Sequence, residues 1–93
     1  MSQHLFSSEV GNKKFEVIMG WDNPTKSFFL IIFDKKSDED YPVYTNLDEV
    51  MPRDLDYYVG KCRDLGIDVK PEIISEIRDD QRLNVSNKVK EWN

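Results

Sequence analysis

Residue types able to do chemistry are scarce in this chain, and their spacing assigns them little. It holds one histidine, His4, and one cysteine, Cys62. A nucleophile needs an activating base beside it, and a zinc site needs three or four clustered ligands. One residue of each kind excludes a zinc finger, a disulfide scaffold and a Cys/His pair with spare parts. His4 stands in a terminal segment, 1–12, expected to be frayed or a short strand, and no specific role is expected of it. Cys62 falls on the apolar side of a predicted helix and reads as a small core residue.

Carboxylates are plentiful, but their spacing suits no site. Asp38-Glu39-Asp40 lacks the alternation, the glycine and the distal glutamate of a calcium loop, and Tyr41-Pro42 interrupts it. In Asp48-Glu49 and Asp79-Asp80 the neighbours point in different directions. No phosphate-binding glycine loop, G-x-S-x-G or H-E-x-x-H is present. The sequence therefore predicts no catalytic residue, no metal and no cofactor.

Charge distribution is more informative. Eighteen acids against thirteen Lys and Arg leave a net charge of −5, with a pI near 4.8. That balance opposes binding to nucleic acid, which needs clustered bases. Residues 38–68 hold nine acids and three bases, and this stretch carries the whole negative excess. Tyrosines interleave with these acids. An anionic face with phenol rings attracts basic proteins and offers anchor side chains. The candidate partner-binding residues are Asp38, Glu39, Asp40, Tyr41, Tyr44, Asp48, Glu49, Asp54, Asp56 and Tyr57. The competing reading is that these acids solvate loops and cap a helix.

The elements that must position this face follow from periodicity. Phe15, Val17, Met19 and Trp21 alternate with polar or smaller residues, the mark of a half-buried strand over 14–21. Asp22-Asn23-Pro24-Thr25-Lys26 is turn chemistry. Ser27 to Asp34 is apolar on both faces and reads as the central strand, paired with 14–21 as a hairpin. Residues 41–46 read as an edge strand blunted by Pro42. The apolar positions Leu55, Tyr58, Val59, Cys62 and Leu65 share a helical face, with Asp54 as cap and Gly66 past the end. Gly60 is expected where this helix nears the sheet. Pro71 opens a second helix reaching about Gln81. The tail, 83–93, reads as a turn and a short strand. The fold class is α+β: an antiparallel meander of three strands, with a fourth from the C-terminus as an option, packed by two helices.

The whole chain has 93 residues and 11.0 kDa, which accommodates one domain. Apolar residues make up 39%, and eleven aromatics supply enough apolar area to order it. The longest apolar run, Phe28 to Phe33, is far short of a membrane span, and the first residues lack the features of a secretory signal. The expected compartment is a reducing cytoplasm.

The strings Gly20-Trp21-Asp22-x-Pro24-x-x-x-Phe28-Phe29, Tyr44-x-Asn46-Leu47 and Leu65-Gly66-Ile67-x-Val69-x-Pro71, with Asp80, Asn84 and Asn87, resemble a group of short bacterial proteins. The likeness runs over about residues 14 to 92. Those proteins are often carried on plasmids or other mobile elements and have no agreed activity, so the resemblance transfers no functional residue. It implies a small accessory role, such as binding and modulating another protein. The expected function is a non-enzymatic, acidic interaction module acting on a basic, nucleic-acid-handling protein partner, with no direct nucleic-acid or membrane contact. A homo-oligomer joined by exposed aromatics or by the edge of strand 14–21 is the alternative, and a small ligand-binding or enzymatic domain ranks last.

Overall fold

The computed structural model describes residues 1–35 and 42–92. It is α+β, with a five-stranded mixed sheet and two helices. The strands are β1 (Ser2–Val10), β2 (Lys13–Asp22), β3 (Ser27–Asp34), β4 (Tyr44–Thr45) and β5 (Lys88–Glu91), in the spatial order β4-β3-β2-β1-β5. A 3-10 turn (Asn46–Asp48) and the helices α1 (Leu55–Asp64) and α2 (Pro71–Arg82) lie between β4 and β5.

The predicted β2–β3 hairpin forms, with Trp21 opposite Phe28 and Val17 opposite Ile32. Three expectations about the sheet are corrected. It has five strands: the C-terminal strand held as an option forms as β5, and the initial segment is a nine-residue strand paired with β2 over His4–Val10. It is not purely antiparallel: β5 returns after α2 and lies parallel to β1, with His4 opposite Lys90. The centre of the sheet is β2, not β3, so the 14–21 segment offers no free edge. Among the described residues of the edge strand expected over 41–46, only Tyr44–Thr45 are strand, and the 3-10 turn follows from Asn46.

Both helices lie on one face. Phe6 of β1, Phe15, Val17, Met19 and Trp21 of β2, and Phe28, Leu30 and Ile32 of β3 point into a core. They meet Leu55, Tyr58, Val59 and Cys62 of α1, and Ile73 and Ile77 of α2. Cys62 is buried as expected, and burial pushes its thiol up to about 12, so it stays protonated and inert. Asp54 caps α1, its carboxylate accepting from Tyr57 N–H. Gly66 follows at φ +81°, a conformation that favours glycine. Gly60, expected against the sheet, has open space where a side chain would stand. Gly20 is the position of close approach: a Cβ there would run into the backbone carbonyl of Ser2.

Candidate functional site

Over its described residues, 42–58, the predicted face divides its acids among several structural roles. Asp38, Glu39, Asp40 and Tyr41 lie outside the described residues. Of the others, Asp48 is exposed in the 3-10 turn. Asp54 is engaged as the α1 cap, and Asp56 pairs with Arg78 of α2 at 2.7 Å. Glu49 is drawn inward. Tyr44 donates its phenol hydrogen to Oε2 at 3.1 Å, and Tyr57 donates to Oε1 at 3.1 Å. Arg53 approaches the same carboxylate at 3.9 Å and lies over the Tyr57 ring at 3.7 Å. Burial, then the neighbouring Glu49 carboxylate, holds the Tyr44 phenol well above its ordinary value, so it remains a donor.

These contacts brace a loop instead of displaying charge. Three further bonds fix its ends. Asn46 Oδ1 accepts the β3 N–H of Leu30, Thr45 Oγ1 accepts from Leu47 N–H, and the buried Tyr58 hydroxyl accepts from Arg53 N–H. The braced loop presents Leu47 (84% exposed), Val50 (100%) and Met51 (69%) to solvent. Between it and β3 runs a groove of about 290 Å³ whose lining includes Phe28, Phe29, Val50, Met51 and Pro52. Asp22 and Glu49 add acids to its walls.

Sequence reasoning assigned no role to these apolar residues. Their signal was present: Leu47, Val50 and Met51 lie in a stretch without period, closed by Pro52, where apolar side chains have no core to enter. Contiguous exposed apolar surface on a small protein marks a binding site more often than chance.

A second constellation involves His4, which the structure buries completely. Trp92 Nε1–H donates to His4 Nδ1 at 3.0 Å, so that nitrogen is bare and Nε2 carries the hydrogen towards Asp80 Oδ2 at 2.6 Å. Asp80, 2% exposed, also takes Lys88 Nζ at 3.0 Å, and Lys88 and Lys90 both reach Glu76, at 3.0 and 2.9 Å. Burial alone would raise the Asp80 carboxyl. Hydrogen bonds from His4, Lys88 and Ser2 more than offset it and hold the group below its ordinary range. Glu76 is lowered the same way, by Lys90 and Lys88 against burial, and Lys88 is raised by the two carboxylates against burial.

This arrangement resembles an acid–base pair, but both of its members are buried. The shallow trough beside it is lined by Glu76, Asp79 and Trp92, not by His4 or Asp80. The pair fastens β1, α2 and β5 together. Asn84 does similar work nearby, accepting from Trp21 Nε1–H at 3.2 Å through its side chain and from Asn23 Nδ2 at 3.2 Å through its carbonyl. Asp22 accepts from the Thr25 hydroxyl at 2.8 Å across the predicted turn.

Among the described residues no cluster of His, Cys, Asp and Glu could hold a metal, and no helix is long and apolar enough to cross a membrane. Comparison of the chain with protein-family models, curated proteins and solved structures returned no match.

Proposed function

We propose that this protein is a non-enzymatic binding module that engages another protein through the 43–58 surface. The observation that carries the reading is the trio Leu47, Val50 and Met51, exposed on a loop held in place by Glu49, Tyr44, Tyr57 and Tyr58. Apolar anchors on a braced scaffold lose little conformational freedom on docking, which favours affinity. Over 42–58 the chain has Asp48, Glu49, Asp54 and Asp56 against Arg53 alone. The matching partner presents an apolar surface rimmed by Lys or Arg, as basic nucleic-acid-handling proteins do. The refinement on the sequence reading is a division of labour: apolar residues anchor, acids steer. The resemblance to proteins of mobile elements fits an accessory role in a bacterial cytoplasm.

The test is affinity capture from a bacterial lysate, followed by titration of the captured protein. Val50→Glu with Met51→Glu should weaken binding by about a hundredfold, the scale of hot-spot loss. Asp48→Asn with Asp54→Asn should weaken it less and flatten its salt dependence. A partner bound equally well by both variants would overturn the reading.

A further inference from the structure

The helices cover one face of the sheet. On the other stand Leu5 of β1, Ile18 of β2, and Ile31 and Phe33 of β3, each half-buried and none part of the core. Register aligns them: Leu5 is opposite Ile18, and Ile18 is opposite Ile31, so an apolar row crosses three strands. Val43 (50% exposed) and Val89 (66%) extend the surface beyond them. β3 is thus apolar on both faces, the pattern of a strand covered on both sides, while among the described residues the helices cover one, and on the other Phe29 alone of β3 is buried.

We propose that the uncovered face is a self-association surface, and that its occupant is a second copy of this chain packed sheet to sheet. Two observations select a copy over another partner. The first is charge. Glu9, Glu16 and Glu91 share the face with Lys14 and Lys35, and Glu16 pairs with Lys35 at 2.8 Å. Such a mixed rim complements itself under a two-fold axis and gives no single-signed field to draw a strongly charged protein, unlike the acid-rich loop surface. The second is area. The five strands hold 33 residues, each covering about 3.3 by 4.8 Å, which makes a face of about 520 Å². Two such faces in contact remove about 1,000 Å² from water, the threshold for a specific interface. Aligned sheet packing about 10 Å apart is an ordinary geometry for that contact.

Sedimentation equilibrium of the intact chain at micromolar concentrations tests this. The expected species has twice the 11.0 kDa chain mass. Leu5→Lys and Ile31→Lys should each weaken association by about tenfold or more, since each places a charge in an apolar contact. Val50→Glu, on the docking loop, should leave it unchanged. Circular dichroism verifies folding; should Ile31→Lys fail to fold, Leu5→Gln reads the same face. A monomeric wild type would overturn the proposal, as would a dimer that survives the Leu5 variants or is dissociated by Val50→Glu. The docking proposal would stand after any failure of Leu5→Lys to act, because it predicts a different readout.

Discussion

Asp80 draws donors from both ends of the chain: the Ser2 hydroxyl, the His4 ring and the Lys88 ammonium. Folding buries this carboxylate because its donors are buried with it, and removing it strands them. Loss of one member of a buried pair is costly, although the partly exposed Lys88 can recover water. Asp80→Ala is expected to destabilise the protein by about 2–3 kcal/mol, read as a lower urea midpoint with little change in slope. A loss below about 1 kcal/mol would remove the cluster's structural role. His4 matters here as a bridge, accepting from Trp92 and meeting Asp80, which ties the β5 end to α2.

At the scale of elements, α1 couples the core to the docking loop. Its first turn supplies Tyr57 to Glu49 and Tyr58 to the Arg53 N–H, so the orientation of that turn sets the loop. Asp54 fixes the turn through its cap to Tyr57 N–H. Asp54→Ala should cost about 1 kcal/mol, whereas Asp54→Asn, also a good cap, should cost a few tenths at most. Thermal unfolding of the two variants separates capping from charge: equal losses would assign the effect to the carboxylate's charge. α2 lacks a side-chain cap bond at Lys70 and starts with Pro71, whose missing N–H leaves one orphan donor fewer. The helices and the β2–β3 hairpin were legible because each has a clear apolar period ending in a recognisable cap or turn. β1 was not. Its inward positions begin with Ser2 and His4, polar residues that hide the alternation Phe6 continues, and they are buried only because Asp80 meets them.

For the molecule as a whole, the cluster of Glu76, Asp80 and Lys88 sets a pH window. The two carboxyls lie below their ordinary values of 4.5 and 3.8 when folded, so their contribution is full above those values and is lost as pH falls through the lowered ones. Lys88 lies above 10.5, so its contribution is full below that and is lost as pH rises through the raised value. Stability should therefore be level across neutral pH and fall in acid below about pH 4. Urea midpoints across that range check it. An unchanged midpoint in acid, or an equal acid loss in Asp80→Asn, would contradict the assignment.

Composition and local pattern alone determined the α+β class, two helices with their ends, the β2–β3 hairpin and a buried Cys62. These depend on neighbours within a few residues, which a sequence displays directly. The tertiary structure decided what depends on residues far apart in the chain. It brought His4 to Asp80, laid β5 parallel to β1 and turned Glu49 inward under two tyrosines. It also divided the acids between a cap, an ion pair and a brace, leaving Leu47, Val50 and Met51 in solvent. Which acids are spent inside the fold and which apolar residues are left out of it is fixed by the packing of the whole chain, and local sequence carries no record of that.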